Sequence, residues 1–135
     1  MFRVNKFKRY VMKKITIIED DRVTRLLLHK LLKKAGYIIN EIDNAEDLIN
    51  NVHNINADLL IVDIIMPYVY DVGKLISIYQ NLDRPIIVIS SMDTYDAVYF
   101  TKKINGESFF PKPIDFRGLV KEVNDLLGQN QKVLN

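Results

Sequence analysis

The run Leu59-Leu60-Ile61-Val62-Asp63-Ile64-Ile65-Met66-Pro67 constrains this chain more than any other stretch. Four apolar residues in succession, with no polar alternation, read as a strand buried on both faces, the kind found in parallel sheets covered by helices on each side. The run stops at a carboxylate, and Pro67 cannot extend a ladder, so Asp63 closes a strand rather than interrupting one. Open parallel sheets bind their ligands at the carboxyl ends of their strands. Asp63 is therefore a candidate site residue. An Asp in this position can equally cap the helix that follows, and the stretch alone leaves both roles open.

The rest of the chain supplies partners for that strand. Ile15–Ile18 reads as a first strand and ends in Glu19-Asp20-Asp21. Three consecutive acids repel one another in a partly buried place, so they are either a solvated turn capping the next helix or a cation site. Val23, Leu27 and Leu31 with Leu28, Leu32 and Ala35 give an apolar helical face over Arg22–Ala35, which Gly36 ends. Tyr37–Ile42 reads as strand two, and Asn44 caps a helix running to about Val52. After the central strand come an amphipathic helix over Asp71–Gln80, a strand at Ile86–Ile89 ending in Ser90-Ser91, and a helix from Thr94 to Ile104 stopped by Asn105-Gly106. Phe109-Phe110 is a short fifth strand broken by Pro111-Lys112-Pro113. Asp115 then caps a last helix with Phe116, Leu119, Val120, Val123 and Leu127 on its apolar face, closed by Gly128.

Five strands alternating with five helices predict an α/β fold: a doubly wound parallel sheet with helices on both faces. Right-handed crossovers bring all the carboxyl strand ends to one edge. Glu19-Asp20, Asp63, Ser90 and Lys112 meet there, from strands one, three, four and five.

Composition excludes several classes. At 135 residues the chain reads as one domain able to bury a real core, and no apolar run reaches the roughly 20 residues of a membrane span. There is no cysteine, which rules out disulfides and thiolate chemistry and fits a reducing cytoplasm. His29 and His53 have no spacing suited to a shared metal and read as surface residues. The net charge of +2 comes from Arg3, Lys6, Lys8 and Arg9, without which 15 basic residues face 17 acidic ones. The body is thus mildly acidic, and no direct nucleic-acid binding by it is expected. Val4, Phe7 and Val11 share helical spacing in this basic tail, but Met12-Lys13-Lys14 directly precedes the first strand. The expected organisation is a tail over 1–12, disordered or a non-native start, a domain over 13–128 and a short polar tail over 129–135.

Over about Lys13–Leu127 the sequence resembles the receiver domain of bacterial two-component response regulators. The carrying residues are Glu19-Asp20, Asp63-x-x-Met66-Pro67, Ser90-Ser91 and Lys112-Pro113, in order and each at its strand end. The resemblance implies the strand order 2-1-3-4-5 and a phosphoacceptor signalling domain that catalyses only its own phosphorylation and dephosphorylation. Asp63 would take a phosphoryl group from the phosphohistidine of a sensor histidine kinase or phosphotransfer protein, or from a small phosphodonor. Mg²⁺ would be held by Glu19 (through water), Asp20, Asp63 and the backbone carbonyl of Ile65. Lys112 and Ser90 would contact phosphoryl oxygens. Ser90 and Phe109 would be the switch, and Lys112-Pro113 a cis bond. The surface of helix four, strand five and helix five, with Tyr95, Tyr99, Lys103, Phe109 and Phe116 as candidates, would meet an unnamed downstream protein or a second copy on phosphorylation. Ile65 and Met92, two residues beyond the acceptor and two beyond the hydroxyl, would flank the water that hydrolyses the phosphorylated form and tune its lifetime.

Members of the family usually carry Asp-Gly soon after Met-Pro, whereas here Asp71 and Gly73 are separated by Val72. That departure bears on the loop and its partners and leaves the acceptor untouched. Other readings are weaker. An aspartyl-phosphate phosphatase usually needs a second acid where Ile65 stands. A flavodoxin-like nucleotide binder would offer amides and hydroxyls to phosphate, not Glu19-Asp20-Asp21. A receiver-like interaction module that signals without phosphorylation typically lacks an acid or the Lys, and neither is missing here. The receiver portion of a longer DNA-binding regulator is a further alternative.

Overall fold

Side-chain volume at the strand positions dictates the architecture. The computed structural model describes residues 11–65 and 72–128. Its strands are β1 (Lys14–Ile18), β2 (Ile38–Ile42), β3 (Leu59–Asp63), β4 (Ile86–Ser90) and β5 (Ser108–Pro111). Between them lie α1 (Arg22–Lys34), α2 (Ala45–Asn51) with a 3₁₀ turn over Val52–Asn54, α3 (Val72–Asn81) and α4 (Thr94–Lys103), and α5 (Phe116–Leu126) follows β5. All neighbouring strands pair in parallel in the order β2-β1-β3-β4-β5, as expected from the alternation and the resemblance. Every residue of β3 and of β4 is buried.

The two-residue period of β3 divides its side chains between two cores. Leu59 and Ile61 join Ile15, Ile17, Ile87 and Ile89 beneath Leu28 and Leu32 of α1 and Leu119 and Val123 of α5. Leu60 and Val62 face the other way, with Ile18, Ile86 and Val88, against Leu48 of α2 and Leu75 and Tyr79 of α3. Burying each such aliphatic side chain contributes about 1.5–3 kcal/mol, so a polar substitution in β3 or β4 removes support from both layers.

Helix ends follow their side chains. Asp21, Asn44, Asp93 and Asp115 each accept a backbone N–H from the first turn of the helix they precede. Gly36 (φ 103°) follows α1 and Gly128 (φ 67°) follows α5, both in the left-handed conformation expected of them. After α4 that conformation falls to Asn105 (φ 58°) rather than Gly106. Lys112-Pro113 is cis, as the resemblance implied.

Two expectations are revised. Only part of the anticipated apolar face of α1 is core: Leu28, Leu32 and Ala35 are buried, while Val23, Leu27 and Leu31 are 64%, 42% and 37% exposed. A helix on a sheet buries one stripe, and the six apolar positions span more than one. β5 runs a residue beyond Phe109-Phe110 at each end. Met66-Pro67, the Asp71–Gly73 spacing through its Asp71, and the tails over 1–10 and 129–135 lie outside the described residues.

Candidate functional site

Strand register assembles the site. The Glu19 N–H still bonds the Ile42 carbonyl at 3.0 Å, so Glu19 leaves β1 in a fixed direction. Ile18 pairs with Val62, which sets Glu19 beside Asp63. Asp63 pairs with Ile89, and Ser90 with Pro111. The Lys112 N–H then bonds the Ser90 carbonyl at 2.9 Å, bringing the lysine to the same edge.

The side chains converge. Lys112 Nζ donates to Asp63 Oδ2 at 2.9 Å and forms an ion pair with Glu19 Oε1. The other Asp63 oxygen, Oδ1, accepts the Ile65 N–H at 2.9 Å. Glu19, Asp20 and Asp63 each present a carboxylate oxygen within 4.8 Å of the others. Glu19 and Asp63 are buried, whereas Asp20 is the least covered of the three. Asp21, the third acid of the run, turns away to cap α1, and its bonds from Thr24 hold its carboxyl below the usual range.

Charge is out of balance here. Burial, reinforced by Asp63, pushes the Glu19 carboxyl up to about 8, and Lys112 only partly opposes this. Burial pulls Lys112 down, but its bonds to Glu19 and Asp63 outweigh that and hold the ammonium above the ordinary lysine range. Once Glu19 gives up its proton, the formal charges of Glu19, Asp20 and Asp63 against one ammonium sum to −2. Hard, anionic oxygens on one side of a partly open cluster suit a small divalent cation that keeps several waters, as Mg²⁺ does. The donor set therefore fits the ion that the sequence suggested.

Around this centre, the Ser90 hydroxyl is fully buried and its oxygen accepts the Met92 N–H at 3.0 Å. Ile65 is 42% exposed and Met92 half-buried, each two residues past a site residue. Phe109 is half-buried against the core on the α3 side, while Phe116, at the start of α5 and also half-buried, packs against the core on the α1 side. Tyr95 and Tyr99 stand exposed on α4, with Lys103 Nζ 5.6 Å from the Tyr99 ring centre. His29, read as a plain surface residue, is half-buried and bonds Glu41.

The sequence reading overlooked Arg25. Its Nη1 donates to the backbone carbonyls of Glu19 at 2.9 Å and Asp20 at 3.3 Å, and its Nε to Glu41 Oε1 at 2.7 Å. Its position four residues beyond Asp21 was visible, but Glu41 is 16 residues away and no local pattern announces that pair.

A 2-1-3-4-5 parallel sheet with three acids and a lysine at its carboxyl edge defines a flavodoxin-like domain with an acidic site. The sequence model of the response regulator receiver domain matches residues 15–124, and the chain belongs to that family. It is similar to the DNA-binding transcriptional regulator NtrC of Bradyrhizobium sp. (strain RP501 Parasponia), 29% identical over 85% of this chain and 24% of that protein. It is also similar to the transcriptional regulatory protein CpxR of Escherichia coli K12, 26% identical over 86% of this chain and 50% of that one. The chain thus spans half or less of these two relatives. Among solved structures, a CheY-like receiver domain protein from Methanospirillum hungatei superposes with a TM-score of 0.76 at 18% identity, covering 93% of this chain and all of that one. The response regulator TrrA of Thermotoga maritima, solved in complex with Mg(2+)-BeF, gives 0.71 at 26% identity over 85% of this chain and 99% of that one. The protein is accordingly a receiver domain of the two-component response regulator type, and no helix among the described residues is long and apolar enough to cross a membrane.

Proposed function

We propose that this receiver domain accepts a phosphoryl group on Asp63 from the phosphohistidine of a sensor histidine kinase or phosphotransfer protein, in a Mg²⁺-dependent reaction. The observation that carries the proposal is Asp63 itself: a buried carboxylate bonded to Lys112 and gathered with Glu19 and Asp20 so that an oxygen of each lies within 4.8 Å of the others. In the transfer, an Asp63 oxygen bonds to phosphorus as the P–N bond to the donor imidazole breaks, and the departing nitrogen keeps the bonding pair. Charge spreads over the equatorial oxygens, so positioning and neutralisation dominate.

Each residue then has a defined task. Glu19, Asp20 and Asp63, with the Ile65 carbonyl, would hold the Mg²⁺, which when bound offsets negative charge on the phosphoryl group. The Ile65 N–H on Asp63 Oδ1 fixes the carboxylate plane, leaving Oδ2 toward Lys112. Lys112 would exchange its bond to Asp63 for a phosphoryl oxygen, acting as a mobile point charge. Ser90 would give up its turn with Met92 to donate its hydroxyl to another oxygen. Phe109 would follow inward, biasing an existing equilibrium of the α4, β5 and α5 surface toward a form that binds a downstream protein or a second copy. Because NtrC and CpxR are described as transcriptional regulators and are longer than this chain, the same unit serving a DNA-binding regulator is the second reading.

The test is incubation with acetyl phosphate and Mg²⁺ followed by intact-mass measurement. The parent should gain one phosphoryl group, and omission of Mg²⁺ or the Asp63→Asn substitution should prevent it. Undiminished labelling of Asp63→Asn would end the proposal.

A further inference from the structure

We infer that Arg25 is a positioning residue for the cation ligands, and that Glu41 acts through it; the inference rests on the Mg²⁺ reading given above. β1 ends at Ile18, so the carbonyls of Glu19 and Asp20 have left the strand ladder. The first helical bond of α1 is taken from Asp21, whose carbonyl accepts the Arg25 N–H at 3.0 Å. The two carbonyls between strand and helix both go to the Arg25 guanidinium.

Peptide planarity turns those two bonds into control of side-chain direction. The Glu19 carbonyl sets the plane between residues 19 and 20, and the Asp20 carbonyl sets the plane between 20 and 21. The relative orientation of those planes is the backbone conformation of Asp20, and so determines where its carboxylate points. On the other side of Glu19, the plane from residue 18 is held by the 3.0 Å bond from the Glu19 N–H to Ile42. Both neighbouring acids are therefore flanked by fixed peptide planes, and Arg25 is common to both. An ammonium group is a point donor and cannot reproduce this: Arg25 uses Nη1 for the carbonyls and Nε for Glu41, a division only a planar guanidinium offers. Glu41 on β2 is steadied in turn by His29, which bonds its other oxygen. Arg25 is 15% exposed, Glu41 34% and His29 31%, so the chain runs inward from a half-exposed acid to the metal loop.

The direction of the effect separates positioning from simple charge. Arg25 brings a positive charge toward a cation site, so by Coulomb's law alone its removal should tighten Mg²⁺ binding. Positioning predicts the reverse. Removing a group that orients metal ligands typically weakens affinity about 10–100-fold, and Arg25→Ala should fall in that range.

The experiment is a Mg²⁺ titration followed by amide chemical shifts, on the parent and on Arg25→Ala, Arg25→Lys, Glu41→Gln, Arg25→Ala/Glu41→Gln and Asp20→Ala, with stability in urea measured without Mg²⁺. The expected result is a loss of affinity about tenfold or more for Arg25→Ala, a smaller loss for Arg25→Lys and for Glu41→Gln, and no further loss when Glu41→Gln is added to Arg25→Ala. Equal or tighter binding by Arg25→Ala, while Asp20→Ala loses its response, overturns the positioning role and leaves the metal reading standing. A full additive loss in the double variant overturns the role of Glu41. Parent-like binding by Asp20→Ala overturns the metal reading and this inference with it. Should Arg25→Ala fail to fold, Arg25→Lys decides: it keeps the charge and loses the fork, so unchanged Mg²⁺ affinity overturns the inference.

Discussion

Replacing Asp63 should make the metal-free protein more stable once Glu19 is ionised, above pH ~8. In Asp63→Asn the shape at the end of β3 is kept, and the Asn side-chain oxygen can still accept the Ile65 N–H that now bonds Asp63 at 2.9 Å. What changes is charge. Asp63 presents an oxygen no more than 4.8 Å from those of Glu19 and Asp20, and above pH ~8, where Glu19 is ionised, each such pair repels by about 3.5 kcal/mol at an effective dielectric of about 20. Against these two repulsions stands the attraction to Lys112 at 2.9 Å, worth about 5.7 kcal/mol on the same scale. The balance favours removing the charge by about 1 kcal/mol, and Lys112 keeps Glu19 as its partner. Urea denaturation without Mg²⁺, at a pH above the Glu19 value of about 8, should therefore place Asp63→Asn about 1 kcal/mol above the parent, or about 4 °C higher in Tm. Mg²⁺ should reverse the order, because the parent gains binding energy in the folded state that the variant, missing a ligand, mostly does not. A metal-free Asp63→Asn that is less stable than the parent by 1 kcal/mol or more in that pH range would refute the reasoning, since the Lys112 attraction would then outweigh the crowding of acids.

Other outcomes follow from the same structure. The phosphorylated parent should decay more slowly than Ile65→Asn or Met92→Glu, and the double variant should decay fastest; a polar group placed to orient an attacking water contributes up to about 10²–10⁴ in rate, and variants no faster than the parent would show that these two positions do not set the lifetime. Adjacent leucines on α1 should behave differently: Leu28 is fully buried and Leu27 42% exposed, so Leu28→Ala should cost about 2–5 kcal/mol and Leu27→Ala much less, as read by urea denaturation. Burial pushes the Tyr37 hydroxyl, which donates to Asn124, up to about 12. Between the unfolded tyrosine value of about 10 and the folded one, the native state holds the proton that the unfolded chain releases, so this contribution is complete below pH ~10 and about 2–3 kcal/mol of it is lost by pH ~12. Tyr37→Phe should be less stable at neutral pH and should lack that share of the alkaline decline.

Much of this could be seen in the residues because the deciding signals were local. The uninterrupted Leu59–Val62 run required burial on both faces, and β3 is buried throughout. The acids, the hydroxyl and the lysine each sat at a strand end, so the parallel order alone carried them to one edge. Less was legible where sequence offers more apolar or charged positions than the fold uses. On α1 the period of 3.6 is satisfied by two overlapping stripes, and only docking against the sheet selects the one through Leu28 and Leu32. Asp20 and Asp21 are chemically alike, and the N-terminal turn of α1 decides that Asp21 caps while Asp20 joins the site. The Arg25–Glu41–His29 group joins α1 to β2, and the Tyr37–Asn124 bond joins residues 87 apart. Such pairings arise from the crossover geometry and have no signature along the chain.

The central claim is that Asp63 is the phosphoacceptor, and site mapping tests it most directly. Borohydride reduces an acyl phosphate to the alcohol, so after treatment with acetyl phosphate and Mg²⁺ the modified aspartate is converted to homoserine, which peptide mass spectrometry can place. Homoserine at position 63 and at no other acid, and none in reactions without Mg²⁺, is the predicted result. Homoserine at Asp20, Asp21 or any acid other than Asp63, or a phosphorylated protein that yields none, would contradict the account.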